Sequence, residues 1–464
     1  MGESKAKGGT LKRDLGTLES YAVLIGILVG AGIFKVTADS GAATGPSVIL
    51  GHFILAPVIL ATAVAYMVFL SSSLGLESGG EVLHISSTFR SKRLTFVAAW
   101  LKLISYFGAG AYLAAALAEN ILELFDPGAR HSPFTIQLVA LGSMGVFLMI
   151  QLAGVRSFGR IQVIMCGVLA VSLAVLILPG LFAIDAANYQ PFFTDGASGF
   201  GSALPSMFFA YAGFEALSQA AGEVKDSRKQ LPRIFMRGIL ATAVIFIAMS
   251  VVAFGTLPAD EVGGSGVPMS RAAATYLPFG AEIIVTLGAI MAVATSLNTT
   301  MFVPARLACH MANDGLMPAI FGELHATKRT PVFGLCVSFA LTVLLLLSGR
   351  FDLALGIAIV SLMLLYALHS LALLLLPSRS PEIYAETETR IPRWLQLVAA
   401  WTSILALGSL VGLRFKGDLA TMLESDWFER VSGLHFTSLE LLVGWGLIGL
   451  ALFQWTTRGR RELA

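Results

Sequence analysis

The sequence predicts an all-α integral membrane protein with about twelve transmembrane helices. Of its 464 residues, 56% are hydrophobic and only 13% are charged, whereas soluble domains carry about 25% charged residues. The mean hydropathy is +0.79. Apolar runs close to the ~20 residues that cross a bilayer recur along the whole chain. The loops between them are too short to form a soluble catalytic domain, so we do not expect an enzyme.

The apolar runs predict helices one to twelve in chain order. They lie at about 18–37, 45–73, 94–125, 133–153, 161–184, 200–221, 238–257, 281–305, 331–348, 353–376, 394–413 and 436–456. Most loop lysines and arginines fall on the side of the first residues. The positive-inside rule therefore predicts a multi-pass protein of the cytoplasmic (plasma) membrane, with tails 1–15 and 457–464 both in the cytoplasm.

Helix one contains a weakly helical stretch at residues 29–34, with the sequence VGAGIF. Gly30 and Gly32 leave the backbone bare and lower its helix propensity. An unpaired peptide group in hydrocarbon costs several kcal/mol, so irregular backbone is tolerated only where protein or a water-filled cavity covers it. A break at this point therefore implies a cavity.

Helix six contains a second such stretch at residues 208–215, where small residues, Gly213 and the carboxylate Glu215 lie at membrane depth. If helices one to five form one unit, their odd number places helices six to ten in the opposite orientation. Glycine-interrupted helices at matching positions of two halves indicate a transporter site near the bilayer midplane.

These breaks and further motifs resemble the amino acid–polyamine–organocation (APC) superfamily of transporters. The similarity covers about residues 15–392. Its motifs are Gly30-Ala31-Gly32-Ile33-Phe34, Gly45-Pro46, Ser78-Gly79-Gly80-Glu81, residues 209–215, 222–226 and 231–233, Met311 to Pro318, and Thr330-Pro331. Val82 stands where the family usually has Tyr.

The resemblance implies a LeuT-type fold with two inverted five-helix repeats, here 16–185 and 200–377, followed by helices eleven and twelve at 394–456. It also implies secondary transport of amino acids by alternating access. The substrate carboxylate is expected at N–H groups of the helix-one break and the ammonium at carbonyls of the helix-six break. The expected substrate-binding residues are Gly30, Ala31, Gly32, Ile33, Phe209, Ala210, Tyr211 and Gly213.

Several of these residues also have a purely structural interpretation. The two glycines of helix one could serve close helix packing. Phe209 is expected to be an aromatic gate, because a similar family member has a substrate-covering Trp there, but it could be a core residue. Glu215 could carry or sense a proton, since an ionisable group inside a membrane is functional by default. It could equally be a carboxyl hydrogen-bonded to the unwound segment.

The coupling ion, H⁺ or Na⁺, is left open. Ser296, Thr299 and Thr300 in helix eight resemble the sodium site of LeuT-fold symporters, although most such hydroxyls bond the i−4 carbonyl. The helix-five lysine of many proton-coupled members is Leu169 here, and the family's helix-two glutamate is Phe69 or Leu70. Lys35 is expected to pair with Asp39 or to line the outer vestibule.

The remaining polar groups suggest little chemistry. We expect Lys102 to snorkel to the cytoplasmic face, His52 and His369 to be structural, and the cysteines to be core thiols. We expect no cofactor, metal site or nucleic-acid partner; the expected partners are a small-molecule amino acid or amine and membrane lipid. The alternative function is an inorganic-ion or polyamine/amine carrier or exchanger on the same fold. Substrate, direction and oligomeric state stay open.

Overall fold

The computed structural model describes residues 13–126, 129, 131–258, 261, 268–278, 280, 282–424 and 436–461. The side chains of residues 31, 33, 35, 38, 39, 42, 43, 268, 282, 424 and 457–461 are outside this description. Within the described part, the chain is helical and its only strand-like pairing is a bridge between Leu15 and Val224. The predicted all-α multi-pass architecture is confirmed.

Twelve helical segments follow one another close to the predicted positions. They are Thr17–Ala31 continued by Gly32–Val36 and Thr37–Thr44 (helix one), Val48–Leu70, Lys92–Phe125, Pro133–Leu152, Val155–Gly180, Gly196–Phe208 continued by Phe209–Tyr211 and Ala216–Gln219 (helix six), Ser227–Thr256, Glu282–Asn313, Val332–Leu347, Phe351–Arg379, Arg393–Glu424 and Ser438–Arg461. In the described residues, nine helices are long and apolar enough to cross a membrane. Helix nine and the first part of helix one are shorter apolar helices, and helix six is interrupted.

Short helices also lie in the connections. Gly80–Phe89 follows helix two, Pro268–Ala274 follows helix seven and Pro381–Ala385 follows helix ten. The first of these matters for the polar interior, because it brings Glu81 under the break of helix six.

Several predicted helix ends were wrong; helix seven, for example, was expected to begin at 238 but begins at Ser227. Helix eight was expected to end at 305 but continues to Asn313, because Arg306 is buried there and neutralised by Glu223 at 3.2 Å. Helix eleven was expected to end at 413 but continues to Glu424. Its polar end carries an i, i+4 pair between Arg414 and Asp418 at 3.7 Å, a spacing that supports a helix.

Burial separates central helices from peripheral ones. In the most apolar stretches, 94% of helix three and 78% of helix eight are buried, against 17% of helix four and 6% of helix twelve. Helices three and eight therefore form the centre against which helices one and ten pack. The lipid-facing surface comes mainly from helices four, five and twelve.

Lys102 does not snorkel to the cytoplasmic face, as was expected. Its ammonium is fully buried and lies 2.7 Å from a carboxylate oxygen of Glu81, which is also fully buried. A buried charge needs a compensating partner. The short helix after helix two supplies that partner inside the protein, so Lys102 has no need to reach the aqueous phase.

The expectation of core thiols holds for one cysteine. Cys309 is buried, Cys166 is half-buried and Cys336 is exposed. Cys336 lies in helix nine and is exposed among the described residues, so apolar sequence context alone did not distinguish exposed positions from the core.

Candidate functional site

The first element of the site is the interruption of helix one at Gly30, whose φ of −46° and ψ of −105° are not helical. The backbone then winds as a wider π-helix over Gly32–Val36. Helix eight packs against this irregular backbone so closely that a Cβ on Gly30 would collide with the Ser296 hydroxyl. The same hydroxyl donates to the Ile27 carbonyl at 3.0 Å.

The second element is the interruption of helix six. Its first part, Gly196–Phe208, continues as a 3₁₀ turn over Phe209–Tyr211. Gly213 has a φ of +100°, which an L-residue rarely adopts, and a Cβ there would lie 2.7 Å from the Ile27 side chain. Its N–H donates to the Tyr366 hydroxyl at 3.3 Å, so helix ten satisfies a peptide group that the break sets free.

The two interruptions touch each other. A Cβ on Gly32 would lie only 2.6 Å from the Ala210 carbonyl oxygen and 2.8 Å from the Ala210 Cα. Beside this contact is a cavity of about 20 Å³, which is room for about one water molecule. Its lining residues are Ile27, Gly32, Ser105, Tyr106, Ala109, Leu113, Phe209, Ala212, Gly213, Ser296, Thr300 and Leu362.

The predicted substrate-binding residues are only partly brought together. Gly32, Phe209 and Gly213 line the cavity, and Ala210 contacts Gly32. Tyr211 is turned away, with its ring 4.8 Å from that of Phe246 in helix seven. Gly30 packs against helix eight. The side chains of Ala31 and Ile33 lie outside the described residues.

Helices three and ten supply a wall that the sequence did not predict. Ser105, Tyr106, Ala109 and Leu113 come from helix three, and Leu362 comes from helix ten. Reasoning from interrupted helices cannot find such residues, because both helices are regular where they line the cavity. The wall is apolar apart from two hydroxyl groups.

Glu215 lies behind the cavity wall and not on it. One carboxylate oxygen accepts a hydrogen bond from the Tyr106 hydroxyl at 2.7 Å, and the other accepts one from the Tyr366 hydroxyl. Tyr106 therefore presents its ring to the cavity and its hydroxyl to Glu215. These bonds fasten the helix-six break to helices three and ten.

The three residues of the candidate ion site have different surroundings. Ser296 and Thr300 both line the cavity, and the Ser296 hydroxyl also donates to helix one. The Thr299 hydroxyl donates to the Thr295 carbonyl at 3.0 Å and accepts from the Gln162 amide at 3.1 Å. Thr299 is thus engaged between helices five and eight.

The side-chain amide of Gln162 in helix five forms a hydrogen bond with helix one. Gln162 Nε2 donates to the Ala22 carbonyl at 3.3 Å, and Leu169, where many family members carry lysine, is buried. The side chains of Lys35 and Asp39 lie outside the described residues, so their pairing stays a prediction.

Comparison with known proteins gives several relatives that are named as transporters or permeases. The chain is 26% identical over 335 residues to "Cationic amino acid transporter 9, chloroplastic" of Arabidopsis thaliana, which covers 69% of this chain and 58% of that protein. It is 25% identical over 342 residues to "Branched-chain amino acid permease BcaP" of Bacillus subtilis (69% and 72% covered). It is 27% identical over 342 residues to "Methylthioribose transporter" of the same species (71% and 73% covered).

These relatives are transporters and permeases, which supports the prediction that the chain is not an enzyme. The family model described as "Amino acid permease" matches residues 15–425. That match contains both interrupted helices and every residue that lines the cavity, and it covers far more than half of the chain. The chain belongs to the amino acid permease family, within the APC superfamily.

Proposed function

We propose that this chain is a secondary active transporter that moves an amino acid across the cytoplasmic membrane by alternating access. The observation that carries the proposal is the direct contact between the two interrupted helices, at Gly32 and Ala210, beside a cavity. Irregular backbone at membrane depth is costly unless protein or a water-filled cavity covers it. Two such breaks facing each other are the arrangement that transporters use at the bilayer midplane.

The polarity of the breaks suits a zwitterion. The outer part of helix one begins after Gly30, so its first N–H groups form a positive helix end that favours a carboxylate. The outer part of helix six ends at Phe208, so the carbonyls of its last turn form a negative end that favours an ammonium group. The substrate's backbone-like part then lies between the breaks.

Phe209 is the gate in this proposal. It lines the cavity, is buried, and meets the Tyr112 ring edge-on with a centroid distance of 5.9 Å. An aromatic ring at this position excludes water from a bound substrate when the site closes.

The wall favours a neutral, aliphatic substrate side chain. Ala109, Leu113 and Leu362 offer apolar contacts, and among the described lining residues none carries a carboxylate. Glu215 is nearest, but the phenols of Tyr106 and Tyr366 occupy both of its oxygens. A cationic side chain would be desolvated here without a partner, at a cost of several kcal/mol.

The cavity of about 20 Å³ is too small for an amino acid, so binding requires the two breaks to separate. In the proposed cycle, helices one, two, six and seven rock against the remaining helices. Substrate binding shifts the equilibrium among outward-open, occluded and inward-open states only by its difference in affinity for them.

The proposal also includes the internal repeats, the membrane orientation and the coupling residue that the sequence predicts. The halves 16–185 and 200–377 are inverted repeats, both tails are cytoplasmic, and Glu215 carries or senses the coupling proton. The tyrosine contacts of Glu215 support its coupling role, because they connect it to helices three and ten. Sodium coupling through Ser296, Thr299 and Thr300 is the competing expectation.

A binding screen tests the proposal. Melting temperatures of the purified protein would be measured with L-leucine, L-alanine, L-arginine, putrescine and inorganic salts, each with and without sodium. A ligand at about 100 times its Kd adds about 2.7 kcal/mol of stability. We expect a neutral L-amino acid to raise the melting temperature and the Gly32→Val variant to lose this response.

The matched control is Gly142→Val in helix four, where a Cβ meets no heavy atom within 4 Å. It should keep the response. A shift with an inorganic salt and with no amino acid would overturn the proposal in favour of an ion carrier, and a shift with putrescine alone would favour a polyamine carrier.

A further inference from the structure

A buried ion pair lies directly beneath the helix-six break. Glu81 is in the first turn of the short helix Gly80–Phe89, and Lys102 is in helix three. Their charged atoms are 2.7 Å apart, and both side chains have no exposed surface. Lys102 Nζ also donates to the Gln219 side-chain oxygen at 3.4 Å, on the inner part of helix six.

Glu215 belongs to the same polar region. Lys102 Nζ lies 5.7 Å from the centre of the Tyr106 ring, whose hydroxyl donates to Glu215. The backbone N–H of Gln219 donates to the Glu215 carbonyl at 3.3 Å. Lys102 and Gln219 therefore connect Glu81 to the segment of helix six that carries Glu215. We call Glu81, Lys102 and Glu215 the carboxylate cluster.

The cluster has one more acidic group than basic group. With every member ionised its net charge is −1, and a single proton on a carboxylate oxygen makes it neutral. Burying an uncompensated charge is expensive, so the protonated and ionised clusters differ in how well they tolerate a closed, water-free interior. The cluster can therefore bind one proton per cycle from the aqueous phase.

The other titratable groups that face the cluster do not supply a compensating charge. Tyr66 and Tyr366 are phenols, which are neutral at physiological pH. His84 Nδ1 lies 3.0 Å from His369 Nε2. Such a contact needs one N–H donor and one bare nitrogen acceptor, so at least one ring of the pair is neutral. Both rings are fully buried, and a buried charge without a partner is costly, so the second ring is neutral as well.

We propose that Lys102 of helix three is the cation that sets the proton affinity of the carboxylate cluster, in place of the helix-five lysine that Leu169 replaces. The proposal rests on the coupling role proposed for Glu215. It adds that Glu81 and Lys102 act on transport through charge and not only by holding the short helix in place.

Substituting either partner breaks the same ion pair but changes the cluster charge in opposite directions. Lys102→Met leaves two carboxylates without a cation, so the cluster keeps its proton up to a higher pH than in the wild type. Glu81→Gln leaves Lys102 and Glu215 as a neutral pair without any proton. An opposite charge within ~4–6 Å shifts titration by about 1–3 pH units.

The experiment measures uptake of radiolabelled L-leucine and L-alanine into proteoliposomes over a range of pH. We expect the midpoint of the pH dependence to rise by about one unit or more in Lys102→Met. In Glu81→Gln we expect it to fall or the pH dependence to disappear. The double variant restores the wild-type charge of −1 on a single carboxylate, and its midpoint should return toward that of the wild type.

The control is the other buried ion pair, between Glu223 and Arg306 at 3.2 Å. Substituting either of these residues removes a comparable buried pair outside the carboxylate cluster. Glu223→Gln and Arg306→Met should lower stability without moving the midpoint in opposed directions. Midpoints that move the same way in Lys102→Met and Glu81→Gln, or that do not move, would overturn the proposal.

A second measurement separates this proposal from the transport proposal. The melting temperature of the purified variants, followed against pH without substrate, should show the same opposed shifts. If no amino acid is taken up but the opposed shifts in melting temperature occur, the proposed function fails and the cluster stands. If uptake occurs without opposed shifts in either measurement, the cluster proposal fails and the function stands.

Discussion

Gly32→Ala is the most direct perturbation of the contact between the two breaks. Gly32 has φ −57° and ψ −41°, which every residue tolerates, so the substitution introduces no backbone strain. The added methyl would lie 2.6 Å from the Ala210 carbonyl oxygen, 2.8 Å from the Ala210 Cα and 2.8 Å from Cζ of Phe246. The phenyl ring can move, but the two backbone atoms can yield only if the helix-six break itself shifts.

Two opposing contributions determine how much Gly32→Ala changes the stability of the protein. Replacing glycine by alanine in a helical conformation gains up to about 1 kcal/mol. Overpacking a close contact costs about 1–3 kcal/mol. The steric term wins, so we expect a net loss of stability of up to about 2 kcal/mol. Substrate binding separates the breaks, so the clash itself does not oppose it; if the added methyl occupies space that the substrate needs between them, amino acid affinity falls by about 5- to 150-fold.

Gly142→Ala isolates the propensity term. Gly142 is helical, and a Cβ there meets nothing within 4 Å. It should keep or raise the melting temperature and leave binding unchanged. The assay is the amino-acid-dependent melting temperature of both variants. Wild-type affinity in Gly32→Ala would refute the idea that the substrate binds where the breaks touch.

Three further predictions concern polar contacts. Glu223→Gln or Arg306→Met leaves a buried charge without its partner and should lower the free energy of unfolding by about 3–5 kcal/mol. The double variant should lower it by less, and melting temperatures of the three variants test this. Hydrogen bonding by Ser73 holds the pKa of Glu386 below its ordinary 4.5. The ionised carboxylate therefore stabilises the fold above pH 4.5, and this stabilisation is lost as the pH falls through the lowered pKa. Glu386→Gln should therefore melt below the wild type at neutral pH and equal it in acid. Tyr106→Phe keeps the ring in the cavity but removes the 2.7 Å donor to the helix-six carboxylate; uptake assays should show similar affinity with a pH midpoint moved upward.

The sequence was most informative where function distorts the backbone. Gly30 and Gly213 stand out in long apolar runs, and both have non-helical backbone angles in the structure. A glycine in such a run lowers helix propensity, so its position in the sequence indicates where the helix is interrupted. The number of helices could be predicted from hydropathy, because bilayer thickness fixes the length of an apolar run.

The sequence was least informative where regular helices meet. Ala109 and Leu362 line the cavity from uninterrupted helices, and nothing in their neighbourhood distinguishes them from core residues. Glu81 and Lys102 meet across 21 positions of the chain, so the pattern of either helix alone cannot predict the pair. Lys102 was misplaced for this reason: a lysine in a spanning helix snorkels unless a partner is buried with it.

The position of Tyr106 explains how the cavity and the carboxylate cluster can influence each other. Its ring forms part of the cavity wall and its hydroxyl binds Glu215. Gly213, two residues before Glu215 in helix six, lines the same cavity, and its N–H donates to the Tyr366 hydroxyl, which is the other donor to Glu215. Coupling between two binding events requires one element whose equilibrium both events bias. The break of helix six satisfies that requirement, because any rearrangement that opens the cavity at Gly213 must also change the hydrogen bonds that stabilise the Glu215 carboxylate.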